Sequence, residues 1–251
     1  MQSARSLRLL FEGLNDMGLS AISLFSGVGG LDLAAKVCGI KTVCYVEWDR
    51  YAQGVLMSRI RDGGLDDAPI WTDVTTFDAK RWVGKVDIVF GGFPCQPHSS
   101  AGKREGGADK RNLWPDTMRI LRECGAWGFV GENVSGIITN GFASQVMADL
   151  EREGFCGAPF SNTACASGAP HMRERVFFVA HATGIRQHDD FVRERNMEGN
   201  GDKNVWQEFD SYCRGVVDGV SYPVDRARCC GNGVVPSEAV PAFKKLTGLL
   251  K

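Results

Sequence analysis

The chain predicts an α/β fold, a doubly wound and mainly parallel sheet with helices on both faces. Three observations predict it. Short apolar runs alternate with helix-period segments along most of the 251 residues. The first run ends in a glycine-rich turn, Ser26-Gly27-Val28-Gly29-Gly30, that opens a helix. A later run, Val86 to Phe90, ends in the tight loop Gly91-Gly92-Phe93-Pro94-Cys95-Gln96-Pro97. Open sheets of this kind bind ligands outside the carboxyl ends of their strands, so both loops are placed for chemistry.

The elements follow in order. The segment before Ser20 predicts an amphipathic helix on Leu7, Leu10, Phe11 and Leu14, and lacks the long apolar core of a signal peptide. Ala21 to Phe25 is a first strand, with a helix through about Val37. Thr42 to Val46 is a second, followed by a helix from about Asp49 to Arg61. Ile70-Trp71 is a short third and Val86 to Phe90 a fourth. A helix near Asn112 to Cys124 precedes a strand at Gly128-Phe129-Val130. A helix from Phe142 to Glu153 precedes a strand near Ala158 to Asn162, and Arg175 to Ala180 is a long apolar strand. From His181 to about Val220 the chain turns polar and loop-like, and Pro236 to Leu250 resumes a helical pattern. The expected division is 1–180, 181–220 as a small variable lobe, and 221–251 as a segment returning to the main domain.

Composition sets bounds. Hydrophobic content of 43% and charged content of 24% are ordinary for a soluble protein. A net charge of −1 advertises no polyanion partner, so any nucleic-acid surface must come from local clustering of Lys and Arg. No apolar run approaches the ~20 residues that span a bilayer. The nine cysteines include no C-x-x-C pair, which argues against a disulfide framework or a metal site and for a reducing cytoplasm. A cytoplasmic monomer with no metal and no membrane partner is expected.

Glu47 ends the second strand, 20 residues beyond Gly27. That is where a carboxylate grips ribose hydroxyls in nucleotide-binding α/β folds. Asp32 occupies the third glycine position of G-x-G-x-x-G, which disfavours a pyrophosphate and leaves an adenosyl ligand compatible. Trp48 could cover an adenine face, and Asp73 could accept from its amino group.

Taken together and in order, these loops resemble the cytosine-C5 DNA methyltransferases. Phe25-Ser26-Gly27-Val28-Gly29-Gly30 is similar to the family's first motif, which holds S-adenosylmethionine. Glu47-Trp48 and Asp73-Val74 resemble its ribose and adenine contacts, and Pro94-Cys95-Gln96 its nucleophile motif. Glu132-Asn133-Val134 resembles the glutamate motif and Arg173-Glu174-Arg175 the paired-arginine motif. Gly231-Asn232-Gly233-Val234-Val235-Pro236 resembles the last motif. The sequence departs from the family pattern at His98-Ser99, where Phe-Ser is usual, and at His171, where Gln precedes the arginine pair. The lobe after His181 is also far shorter than the usual target-recognition domain.

The resemblance implies a catalytic set of Cys95, Glu132, Asn133, Arg173 and Arg175. It implies cofactor contacts from Phe25, Gly27, Gly29, Gly30, Glu47, Trp48, Asp73, Val74, Pro94, Leu113, Asn232 and Val234, and double-stranded DNA as the partner. The chemistry agrees with these residue types. Thiolate addition at cytosine C6 makes C5 nucleophilic. A carboxylic acid at N3 assists that addition once burial has raised its pKa. Lys103-Arg104 and Lys110-Arg111 flank glycines beside the nucleophile and suit phosphate contacts to DNA around a flipped base. Three rival readings stay open on sequence: an RNA cytosine-C5 methyltransferase, a DNA-binding relative without turnover, and a nicotinamide-dependent oxidoreductase.

Overall fold

A computed structural model of the chain describes residues 18–94, 112–183 and 233–248. Seven strands form one sheet in the order β3-β2-β1-β4-β5-β7-β6. They are β1 (Leu19–Leu24), β2 (Ile40–Val46), β3 (Ile70–Trp71), β4 (Ile88–Gly91), β5 (Gly128–Val134), β6 (Phe155–Thr163) and β7 (Glu174–Ala182). All neighbouring pairs are parallel except those made by β7, which runs antiparallel to both β5 and β6. The doubly wound, mainly parallel sheet expected from the sequence is the one observed.

The helices are α1 (Gly30–Val37), α2 (Arg50–Arg61), α3 (Trp114–Cys124), α4 (Gly136–Thr139), α5 (Phe142–Arg152) and α6 (Pro236–Gly248). Each strand alternates its side chains between two apolar layers because successive Cβ atoms point to opposite faces. Ile22, Val89, Phe129 and Phe178 face the layer that holds α3 and α5. Ala21, Phe90, Val130 and Phe177 face the layer that holds α1 and α6. The last helix is thus drawn back beside the first, and Phe243 of α6 meets Phe90 of β4 edge-on at 5.2 Å.

Local chemistry sets the helix ends. Asp49 caps α2, its carboxylate accepting from the Tyr51 and Ala52 amides. Pro115 lies in the first turn of α3, where its missing N–H costs nothing, and Gly125 ends that helix in the left-handed region. The sheet reverses its winding between β1 and β4, and the two loops singled out in the sequence leave the carboxyl ends of those adjacent strands.

Several strand boundaries shift, among them β1 at Leu19–Leu24, β2 from Ile40 and β6 at Phe155–Thr163, and three further shifts bear on the site. β4 starts at Ile88 rather than Val86. The preceding Asp87 instead accepts from the Ser20 amide and hydroxyl at 2.8 and 2.9 Å. β5 runs on to Val134, which places Glu132 and Asn133 inside the strand. β7 runs to Ala182, so His181 is a buried strand residue rather than the first residue of the polar lobe. The expected N-terminal helix, Cys95, both Lys-Arg pairs, the rest of the variable lobe and Asn232 lie outside the described residues. No helix among the described residues is long and apolar enough to cross a membrane.

Candidate active site

The glycine-rich turn after β1 is held in a shape that only particular residues allow. Phe25 adopts φ 52°, a conformation that costs a bulky residue on the order of 1–3 kcal/mol. The cost is borne where the chain turns off β1 under the cleft. Ser26 ties the turn to the next strand: its hydroxyl accepts from the Val46 amide at 3.3 Å and its amide donates to the Val46 carbonyl at 3.2 Å. Arg59 of α2 donates from Nη1 to the Val28 carbonyl at 2.5 Å. Gly30 is required by close approach, since a Cβ there would sit 2.4 Å from the Val234 carbonyl oxygen.

Glu47 joins the turn to the end of β2. One carboxylate oxygen accepts from the Gly27 amide at 2.6 Å and the other from the Asp49 amide at 2.7 Å. Burial raises its pKa, and these two bonds oppose the rise. A carboxylate offers about four acceptor positions, so Glu47 retains capacity for a ligand's hydroxyls. Trp48 stands next to it with 76% of its surface exposed. Asp73 caps the 3₁₀ turn Val74–Thr76, its Oδ1 accepting from the Thr75 amide and hydroxyl at 2.9 and 2.7 Å. Val74 is buried in the core layer, and Leu113, at the head of α3, packs against the same layer.

Asp32 is explained by the structure rather than by a ligand. It is 1% exposed, and its Oδ1 accepts from the Thr42 hydroxyl at 3.1 Å. Burial lifts its carboxyl to about 7. The residue in the third glycine's place is therefore packed beneath the turn, between α1 and β2.

The second half of the site is built on β5 and β7. Glu132 is 7% exposed and pairs with Arg175, Nε to Oε1, at 2.9 Å. Arg175 lies opposite Val134 in the ladder, so its side chain crosses diagonally to the carboxylate two residues back. Burial pushes the Glu132 carboxyl above its usual range, while Arg175 and then Arg173 draw it down. Gly92 makes room for it, because a Cβ there would lie 2.9 Å from Glu132 Oε2. Asn133 points to the neighbouring loop and donates from Nδ2 to the Phe93 carbonyl at 2.9 Å. It thereby fixes the backbone two residues before Cys95. Arg173 donates from Nη2 to the Gly233 carbonyl, which ties the arginine pair to the C-terminal segment.

These pieces enclose one cleft, lined by Phe25, Ser26, Gly27, Val28, Gly30, Leu31, Gly92, Glu132, Gly233 and Val234. Of the expected residues, it brings together Phe25, Gly27, Gly30, Glu132 and Val234. Gly29 lies at the head of α1 without lining it, and Glu47, Trp48 and Asp73 stand at the neighbouring strand ends. Pro94 leads out of the cleft toward Cys95. Sequence reasoning did not single out Ser26, Arg59, Gly92 or Gly233 for these roles.

A family model described as C-5 cytosine-specific DNA methylase matches residues 19–213, more than half of the chain. The chain belongs to that family. Curated relatives include the type II methyltransferase M.BsuFI of Bacillus subtilis, 34% identical over 165 residues, covering 64% of this chain and 39% of that protein. M.HpaII of Haemophilus parainfluenzae is 34% identical over 173 residues, covering 65% of this chain and 47% of that protein. M.HhaI of Haemophilus parahaemolyticus is 34% identical over 166 residues, covering 64% and 49%. The match therefore spans less than half of each of these three relatives. Among solved structures, a candidate DNA modification methyltransferase encoded within an E. coli prophage aligns at TM-score 0.55 and 27% identity, covering 68% of this chain and 48% of that one. A Spodoptera frugiperda DNMT2 variant shares the fold at TM-score 0.56 and 22% identity, covering 68% and 54%. Family membership accounts for a methyltransferase-type sheet with both loops at its carboxyl edge.

Proposed function

We propose that the protein is a DNA (cytosine-5-)-methyltransferase that uses S-adenosylmethionine and Cys95. The observation that carries this reading is the buried Glu132–Arg175 pair at 2.9 Å, set in the wall of a cleft whose opposite wall is the glycine-rich turn. Such a pair holds a carboxyl group whose proton affinity is raised by burial yet whose orientation is fixed.

The cleft suits an adenosyl ligand. None of its described lining residues is basic, which disfavours a pyrophosphate, and the Gly27 backbone offers close approach without a side chain. Phe25, Gly27, Gly30 and Val234 would hold the ligand in the cleft. Glu47 would accept from its ribose hydroxyls, Trp48 would cover its adenine, and Asp73 would meet the adenine amino group. S-adenosylmethionine supplies an electrophilic sulfonium methyl when bound.

The chain's own residues then do the following. Cys95, as thiolate, adds to C6 of a cytosine turned out of the duplex. Electron density moves toward N3, where Glu132 donates a proton or a hydrogen bond. Arg175 holds Glu132 in the orientation that this requires, and Asn133 anchors the loop that presents the thiol. A restriction-modification setting follows from the names of the relatives, and a short recognition lobe favours a site of few base pairs.

Transfer of labelled methyl groups from S-adenosylmethionine tests the reading. Incorporation into duplex DNA, lost in Cys95→Ala, is the expected result. Incorporation into transfer RNA but not DNA, or none into either with cofactor bound, would overturn it.

A further inference from the structure

Strand β3 is too short to fix the turn that follows it. It has two residues, lies at the edge of the sheet, and pairs with β2 through Ile70 opposite Tyr45 and Trp71 opposite Val46. So brief an edge pairing gives little support by itself. The turn after it, Val74–Thr76 with Asp73 at its head, is instead braced by side chains. On the strand side the Trp71 indole nitrogen donates to the Asp73 carbonyl at 2.9 Å. Phe77, 3% exposed, closes the turn and meets Trp71 edge-on at 6.0 Å.

The second brace comes from α3, more than 40 residues away. Arg119 donates from Nη2 to the Val74 carbonyl at 2.8 Å and from Nη1 to the Phe77 carbonyl at 2.9 Å. These two carbonyls bracket the turn. The same guanidinium is aimed from its own helix by two acids, one three residues back and one four residues on. Asp116 Oδ1 accepts from Nη2 at 3.3 Å and Nε at 3.4 Å, and Glu123 Oε2 accepts from Nη1 at 3.1 Å. Five contacts match the five N–H donors of the fork, whose planarity fixes their relative directions. Arg119 does not line the cleft, so its effect on a ligand passes through the turn.

We propose that Arg119 is a positioning residue for the cofactor's base. By holding the Val74 and Phe77 carbonyls it sets where Asp73 stands, and so makes the site prefer a purine that carries a 6-amino group. The proposal rests on the reading of Asp73 as the acceptor for that amino group. Asp73 commits Oδ1 to the Thr75 amide and hydroxyl, and a carboxylate with about four acceptor positions keeps capacity for one more donor.

The test is calorimetric titration of the full chain with two ligands, S-adenosylhomocysteine and its analogue with hydrogen in place of the 6-amino group. The unaltered chain is expected to prefer the amino ligand by about tenfold, as a hydrogen bond to an ionised group gives. In Arg119→Met that preference is expected to fall to about twofold or less. A general loosening of the fold weakens both ligands alike and leaves the ratio where it was. Arg119→Lys keeps the charge beside Asp116 and Glu123 but brings one nitrogen to two carbonyls, so it is expected to lose the preference too. It is the variant to read if Arg119→Met folds poorly. A preference retained in Arg119→Met, or present in Arg119→Lys, overturns the proposal. Asp73→Ala separates the two ideas. If it keeps the preference, the reading of Asp73 fails and takes the proposal with it. If it loses the preference while the Arg119 variants keep it, the proposal alone fails.

Discussion

The two ends of the cleft are assembled differently. The cofactor end is local: Glu47 reaches Gly27 and Ser26 reaches Val46 across 20 residues, and Arg59 reaches Val28 across 31. The catalytic end joins distant segments. Asn133 reaches Phe93 across 40 residues, and Arg173 reaches Gly233 across 60. The glycine turn at the heart of the cofactor end needs only β1, β2 and their helices to take shape. The catalytic end needs β4, β5, β7 and α6 in place together, so its geometry forms only when the whole sheet has closed. The C-terminal segment is common to both, since Val234 abuts Gly30 and Gly233 holds Arg173. Damage to that segment should therefore strike both ends, whereas damage within either end should leave the other intact.

The largest expected effect separates the ends cleanly. Glu132→Gln should lower methyl transfer by about 10²–10⁴, the usual range for a lost general acid, with cofactor affinity changed only a few fold. Calorimetric titration of S-adenosylmethionine alongside the rate measurement checks both halves of that statement. Gly30→Ala should do the reverse. Its new Cβ would lie 2.4 Å from the Val234 carbonyl oxygen, backbone that cannot rotate away. Overpacking of this kind costs about 1–3 kcal/mol, or about 2–4 °C in Tm for each kcal/mol in a domain of this size. Cofactor affinity should fall with it by about tenfold, and unchanged affinity would break the link drawn between Gly30 and the C-terminal segment.

The smallest effect concerns Asp32 beneath the turn. Its carboxyl titrates at about 7 in the folded chain against 3.8 when exposed. Between these values the native state holds a proton that the unfolded state has released. Stability is therefore lost as pH rises through this window, not gained. Tm should fall by a few degrees between pH 5.5 and 8, and Asp32→Asn should flatten that slope. A slope unaffected by Asp32→Asn would place the titrating group elsewhere, with Glu238 the next to replace.

The same contrast explains what could be read from the sequence. β1, the glycine turn and α1 show themselves by period and by glycines, because their contacts lie close along the chain. Glu47 was legible from its spacing alone. The role of Gly92 and the burial of Glu238 were not. Gly92 matters because the Glu132 carboxylate, 40 residues away, occupies the space of its missing Cβ. Glu238 sits in an amphipathic helix pattern, and only the fold reveals that its place is inside. The left-handed Phe25 is likewise imposed by the turn as a whole, since no rule for single residues predicts it. The extension of β5 to Val134 comes from pairing with β7, a partner 40 residues on whose antiparallel insertion no local pattern announces.

In the proposed reaction Cys95 attacks a cytosine whose N3 meets Glu132, which Arg175 holds in place. Duplex DNA carrying 5-fluorocytosine tests it most directly, because fluorine at C5 cannot leave as a proton does and traps the enzyme on the ring. A covalent protein–DNA complex is expected that forms only with S-adenosylmethionine, disappears in Cys95→Ala and forms far more slowly in Glu132→Gln. A chain that binds this DNA and the cofactor yet forms no adduct, or forms it equally in Cys95→Ala, would contradict it.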